Sequence, residues 1–259
     1  MIVIDKVSRR FGGIVAVDEC SFEIKTGTIT GLIGPNGAGK TTLFNIIAGF
    51  MPPTGGRILL DHRDVTGLPP HRLFHLGLVR TFQIPHEFAR MTTLENLMVV
   101  PPGQAGESLV NAWFRPWRVA LREREVRRRA EEVLEFLSLE RLRDELAGNL
   151  SGGQKKLLEL GRALMSGCRI VLLDEPGAGV NRTLLARLVD SIRTLNRDHG
   201  YTFCIVEHDM DLIAQLCDPV IVMTEGRVLT QGRFDEVRQN REVLDAYLGG
   251  ISVPAEGRA

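Results

Sequence analysis

Cysteine, tryptophan and tyrosine are scarce in this chain: four, two and two among 259 residues. The cysteines Cys20, Cys168, Cys204 and Cys217 lie far apart, with no CxxC pair and no histidine at ligand spacing. That argues against a disulfide framework or a zinc site and for reduced, mostly buried thiols in a cytosolic protein. An excess of one charge is lacking too. Lys+Arg and Asp+Glu are both 32, which speaks against a general nucleic-acid binder, although a local patch stays open. No apolar run approaches the roughly 18 residues of a spanning helix, so the chain is not expected to cross a membrane. The opening MIVIDKVSRR carries Asp5 and no long apolar stretch, so no signal peptide is expected. There is no low-complexity tract and no repeat with a period of about 20–50 residues.

What is present is enough apolar residue, 44%, for one large core or two small ones. In ECSFEI (19–24), Cys20, Phe22 and Ile24 alternate with polar positions, the period of a half-buried strand. ITGLIG reads as a strand entering a glycine-rich loop, and Thr41 to Phe50 as a helix. RILL and LVRTF (78–82) read as strands. From Leu94 the chain turns helical, and Arg118 to Leu139 carries Val126, Ala130, Val133, Leu134 and Leu137 on one face. Between Trp113 and Arg129, seven arginines stand against two glutamates. This is a solvated helix face or a surface near lipid headgroups or RNA. The second half alternates again: RIVLLD a strand, Arg182 to Asp198 a helix, YTFCIVE a strand, and PVIVMTEGRVLTQG a hairpin turned at Glu225-Gly226. Strands alternating with helices predict an α/β fold with a mostly parallel sheet.

GPNGAGKTT, from Gly34 through Pro35, Asn36, Gly37, Ala38 and Gly39 to Lys40, Thr41 and Thr42, matches the phosphate-loop pattern G-x-x-x-x-G-K-[ST]. Glycines let successive N–H groups face an anion, and the following helix adds its positive end. Lys40 is placed to reach the β/γ-phosphates of a nucleotide and the Thr41 hydroxyl to ligate Mg²⁺. A plain glycine turn would not need a lysine followed by a hydroxyl.

Further stretches narrow the family. LSGGQ (Leu150 to Gln154) lies about 110 residues downstream, RTFQ ends in Gln83, Asp174-Glu175 follows an apolar run, and IVEHD places His208 after the next one. In this order the set resembles the ATP-binding subunit of ABC transporters, over almost the whole chain. The resemblance implies the ABC ATPase fold: a P-loop core (about 1–93 and 162–250), an N-terminal antiparallel β subdomain, an inserted helical subdomain (about 94–161) and a tail, 251–259, all in one ATPase domain. It implies a Mg²⁺-dependent ATPase working as a head-to-tail dimer, each ATP between the P-loop of one domain and the Ser151, Gly152, Gly153 and Gln154 of the other. Ser151 is a good helix N-cap and Gly152-Gly153 lets phosphate come near. By the same carry-over Phe11 stacks on adenine with Val17 beside it.

Side chains alternate along a strand, so Asp174 and Glu175 should point different ways. Asp174 is suited to hold Mg²⁺ opposite Thr41, and Glu175 to act as general base on the attacking water. His208 would meet the γ-phosphate, and Gln83 would sense metal and water.

RTFQ, VEHDM, the sequence after Glu-Pro and the ending DAYLG look like subunits for branched-chain amino-acid uptake. That resemblance implies a second ATPase subunit (a copy of this chain or a similar one), two transmembrane permeases and, indirectly, a periplasmic or extracellular binding protein. The chain would sit peripherally on the cytoplasmic face of the inner membrane, with no nucleic acid. The ATPases of lipopolysaccharide export and of urea or amide transport are the alternatives. His86, Glu87 and Phe88 are expected to face a permease. Asn181 is expected near the dimer seam. Arg182 stands where that subfamily has proline, and Gly177 where Ala or a bulkier residue is usual.

Overall fold

The computed structural model describes residues 1–81, 87–107 and 113–248. From the N-terminus come β1 (Ile2–Phe11), β2 (Ile14–Ile24), β3 (Ile29–Ile33), α1 (Lys40–Ile47), β4 (Gly55–Leu60), β5 (Arg63–Asp64) and α2 (Pro70–His75). A middle stretch holds β6 (Leu78–Arg80), α3 (Thr93–Met98), α4 (Pro116–Phe136), α5 (Gly152–Met165), β7 (Ile170–Asp174) and α6 (Arg182–His199). Then follow β8 (Thr202–Val206), α7 (Met210–Leu216), β9 (Val220–Thr224), β10 (Arg227–Gly232), α8 (Phe234–Gln239) and α9 (Arg241–Leu248). The chain divides into two compact units, Met1–Leu73 with the segment from Gly200 onward, and Phe74–His199.

In the first unit β1 pairs antiparallel with β2 on one side and β4 on the other, setting Ile2 opposite both Ile24 and Leu60. Cys20, Phe22 and Ile24 are buried, as their alternation predicts. β3 lies between β8 and β9, parallel to both, with all five residues buried. Such a strand is apolar on both faces, which is why ITGLI and TFCIV read as runs rather than alternations. β9 and β10 form the expected hairpin. Its turn residues Glu225 and Gly226 both have positive φ, as a tight two-residue turn compatible with strand twist requires.

In the second unit β6 and β7 pair in parallel, and α3, α4 and α5 pack on one another. α4 starts at Pro116, two residues before the expected Arg118, with the proline in the first turn where its missing N–H is harmless. Its buried stripe is Val126, Ala130, Val133 and Leu134, joined by Leu137 just beyond the helix. β6 stops at Arg80, short of the expected LVRTF; Phe82 lies outside the described residues. The compact unit is wider than the helical stretch 94–161 because β6, β7 and α6 belong to it.

All four cysteines are free and buried. Burial pushes the Cys20 thiol up to about 11 and the Cys204 thiol up to about 12, and it raises Cys168 and Cys217 as well. Since only the thiolate reacts, a chromogenic disulfide reagent at neutral pH should find almost no fast thiol in the native protein. Four should react after denaturation; a fast native thiol would contradict the burial.

Candidate nucleotide site

The first half of the site grows out of β3. Gly34 leaves the strand where a Cβ would lie 2.1 Å from the Met223 carbonyl oxygen, and at Gly39 a Cβ would lie 2.3 Å from that of Ala16. Only glycine fits either place. Around them the loop is clamped by the β9–β10 turn. The Gly226 N–H donates to the Ala38 carbonyl at 3.1 Å, and the Gly226 carbonyl accepts from Asp18 N–H at 2.8 Å. α1 then starts at Lys40, with Gly39 as N-cap at φ 93° and no side chain capping it. Its first N–H groups are therefore left for an anion. Lys40 is buried, and its Nζ donates to the carbonyls of Gly34 (2.7 Å) and Pro35 (2.9 Å). The ammonium thus sits inside the loop it closes. Thr41 is exposed and Thr42 half-buried.

The same unit carries Phe11, Val17 and His208. Phe11 ends β1 with its ring 43% exposed, and the Arg9 guanidinium lies 4.8 Å from the ring centroid, a cation–π contact. Val17 is wholly buried. His208 is exposed just after β8. The buried Glu207 fixes it: its Oε2 accepts from the His208 N–H at 3.0 Å, and Asp209 then caps α7 through the N–H groups of Asp211 and Leu212.

The second unit holds the carboxylates and LSGGQ. Asp174 is the last residue of β7 and is buried. Its carboxylate meets the Arg80 guanidinium at 2.7 Å, the two side chains being 9% and 6% exposed. The Asp174 N–H also lies 3.4 Å from the Thr81 hydroxyl. Glu175 is half-buried at φ 47°. β7 ends at Asp174, and at Glu175 the backbone turns left-handed, a conformation that costs a non-glycine residue about 1–2 kcal/mol. Such strain marks a side chain whose aim matters more than local comfort.

After Gly179, the Asn181 side-chain oxygen accepts from the Leu184 N–H at 3.0 Å, capping α6. Arg182 is the exposed first residue of that helix. Ser151 caps α5 in a reciprocal box with Gln154: the Gln154 Oε1 accepts from the Ser151 N–H at 2.8 Å, and the Ser151 hydroxyl from the Gln154 N–H at 3.4 Å. Ser151 and Gly152 are exposed, so this helix start faces solvent. Gly153 is buried where a Cβ would lie 2.7 Å from a Leu184 methyl.

Gln83 and His86 lie outside the described residues. Glu87 is held inward: Lys155, one residue past LSGGQ, reaches its carboxylate at 2.7 Å. Phe88 is exposed, with the Arg162 guanidinium 5.2 Å from its ring centroid. Arg80, Glu207 and Lys155 are therefore neighbours of the site that reading the sequence passed over. Arg80 had a signal, as a cation midway along an apolar strand, where charge is costly unless paired.

A glycine loop closed by a buried lysine at a helix start, fed by a buried parallel strand, defines a P-loop nucleotide-binding protein. The family model described as "ABC transporter" matches residues 17–178. The chain belongs to the ABC transporter family. It is 40% identical over 243 residues, 94% of this chain and 93% of the relative, to the probable branched-chain amino acid transport ATP-binding protein LivG of Archaeoglobus fulgidus. It is 37% identical to the high-affinity branched-chain amino acid transport ATP-binding protein BraF of Pseudomonas aeruginosa, covering 96% of this chain and 98% of the relative. Among solved structures it resembles the ADP conformation of MJ1267, an ATP-binding cassette of an ABC transporter. That similarity has a TM-score of 0.81 and 36% identity, covering 96% of this chain and 98% of the other. The α/β P-loop core with a mostly parallel sheet, expected from the sequence, is the fold of this family.

Replacing Arg80 by methionine strands Asp174 as a lone buried carboxylate, which costs about 3–5 kcal/mol. The melting temperature of the nucleotide-free protein should fall by roughly 10 °C, and Mg²⁺ with ATP should restore part of it through binding to the folded state. An unchanged melting curve would remove Arg80 from this role.

Proposed function

We propose that the chain is the ATP-hydrolysing subunit of an importer of branched-chain amino acids. The observation that carries the ATPase part is a chain with two phosphate-grade helix starts: one closed by Lys40, the other capped by Ser151 and Gln154 and open to solvent. A helix start without a lysine, held open at the surface, suits a phosphate brought by a second subunit. The solute is supported by relatives named for branched-chain amino acid transport along nearly their whole length. Those names favour that solute over lipopolysaccharide export or urea and amide transport.

In this reading the Gly34–Thr42 loop holds the phosphates of ATP, and Lys40 leaves the carbonyls of Gly34 and Pro35 for the β/γ-phosphates. Phe11 offers its open ring face to the adenine. The residues present also fit Mg²⁺. Thr41 and Asp174 are hard oxygen donors, Asp174 already keeps a cation at 2.7 Å, and among the described residues no three His, Cys, Asp or Glu gather into an all-protein cage. Mg²⁺ is held in this way, by few protein ligands plus phosphate oxygens, and when bound it neutralises charge on the β/γ-phosphates. Glu175, aimed by its left-handed backbone, orients and deprotonates the attacking water. His208, fixed through Glu207, donates to the γ-phosphate, and Gln83 contacts water and metal. Ser151, Gly152, Gly153 and Gln154 complete the site of a partner cassette.

We further assign the helical subdomain to residues 94–161 of a single ATPase domain. The partners are a second ATPase subunit, two transmembrane permeases and, indirectly, a binding protein. The chain's place is the cytoplasmic face of the membrane. The Glu87–Lys155 pair would link a permease contact at Phe88 to the LSGGQ helix.

Two variants test the chemistry. Lys40→Ala should weaken ATP binding about 10- to 100-fold, from the loss of a charged hydrogen bond. Glu175→Gln should keep ATP binding but lower steady-state turnover by about 10² to 10⁴ and trap the dimer on size-exclusion chromatography. Wild-type turnover in Glu175→Gln overturns the assignment of the base. Uptake of labelled leucine, isoleucine and valine should be lost from a strain lacking this gene and return with the wild-type copy but not with Glu175→Gln. Uptake unaffected by the deletion overturns the solute.

A further inference from the structure

The start of α4 stands out from the rest of the surface. Trp113, Phe114, Trp117 and Leu121 are 82%, 71%, 65% and 69% exposed, four of the five most exposed large hydrophobic side chains among the described residues. Everything from Trp113 to Glu125 is exposed except the half-buried Val119 and Arg122; the helix first buries a residue at Val126. At about 100° per residue, Trp117 and Leu121 lie roughly opposite the buried stripe of Val126, Ala130, Val133 and Leu134. The apolar side chains thus point away from the fold. Arginines border them: Arg115, Arg118 and Arg124 are all exposed. Further along, the arginines are turned to other uses, with Arg128 paired to Glu132 and Arg129 donating to the Leu164 carbonyl.

We propose that this protruding helix end is an interfacial anchor that inserts into the headgroup layer of an anionic lipid bilayer. Tryptophan prefers the boundary between headgroups and acyl chains, with its ring in the apolar side and its N–H in the polar side. Leucine and phenylalanine extend the inserted surface, and arginines beside them meet lipid phosphate in two-point contacts. An exposed apolar cluster without charge would favour another protein. The arginine border on a chain of zero net charge makes the local complementarity with an acidic surface specific to this patch. The anchor shares no residue with the nucleotide site and does not depend on the reading of that site.

The chain provides its own probe, because its only two tryptophans are Trp113 and Trp117. The purified full chain, titrated at low salt with vesicles of phosphatidylcholine plus phosphatidylglycerol, should shift its tryptophan emission to the blue. It should also become protected from an aqueous quencher and sediment with the vesicles. Phosphatidylcholine vesicles alone should give much less, and raised salt should reverse the effect. A variant with Arg115, Arg118 and Arg124 each changed to Gln should lose at least about tenfold in partitioning, at roughly fivefold per arginine. Leu121→Ser, which keeps both tryptophans, should also bind less. ATP turnover in solution should be unchanged in both variants, which separates this test from that of the nucleotide site. An unshifted emission with the acidic vesicles overturns the proposal. So does a shift that needs permease subunits in the vesicle, or an equal shift produced by RNA, since these assign the patch to a protein or a nucleic acid.

Discussion

The structure around the phosphate loop depends on how closely backbones approach one another. At Gly34 and Gly39 there is no room for a single added carbon, because the carbonyls of Met223 and Ala16 already stand there. The β9–β10 hairpin and the start of β2 are thereby pressed onto the loop, and Gly226 locks the arrangement with hydrogen bonds in both directions. A loop held this tightly needs no reorganisation to present its N–H groups, which is how fixed dipoles become effective toward an anion. The lysine completes it. With its ammonium on two loop carbonyls, the buried Lys40 charge is not left bare, and on the proposed reading it would exchange one set of oxygen partners for another on meeting phosphate.

The same logic applies at Asp174. A carboxylate at the end of a buried strand is expensive alone, and Arg80 stands beside it within a short hydrogen bond. On the proposed reading, a cation arriving with a nucleotide would compete with a guanidinium rather than with water, and metal affinity would report the difference between two paired states, smaller than the attraction of an isolated carboxylate. The polypeptide thus stays folded without nucleotide and keeps the acid ready. Glu175, next along, bears left-handed backbone strain.

Much of this was legible in the sequence because it rests on local chemistry. Glycine spacing marks a phosphate loop, Ser151 and Gln154 mark a capped helix start, and Glu225-Gly226 marks a hairpin turn; each needs only neighbouring residues to be understood. What was not legible depends on long-range packing. Arg80 and Asp174 are far apart in sequence, and nothing near either one announces the other. Glu87 read as a surface residue until Lys155 drew it inward. Val17 carries an apolar identity that suits a base contact and a core equally, and its full burial is visible only in the packed fold. The strand pleat expected to separate Asp174 from Glu175 stops short of doing so, since β7 ends before Glu175, where the backbone is left-handed.

Zero net charge hides how unevenly charge is spread. Averaged over 259 residues the arginines cancel, yet they gather at α4, where exposed aromatic side chains also gather. A solvated helix does not need tryptophan, and a helix with a buried stripe of its own does not need a second apolar side. The stripe of Val126, Ala130, Val133 and Leu134 satisfies packing within the fold, so the opposite side has been left to something outside it. Arginine beside tryptophan tolerates both water and lipid headgroups. In a chain with no described helix long and apolar enough to cross a bilayer, such a patch provides a means of standing at one.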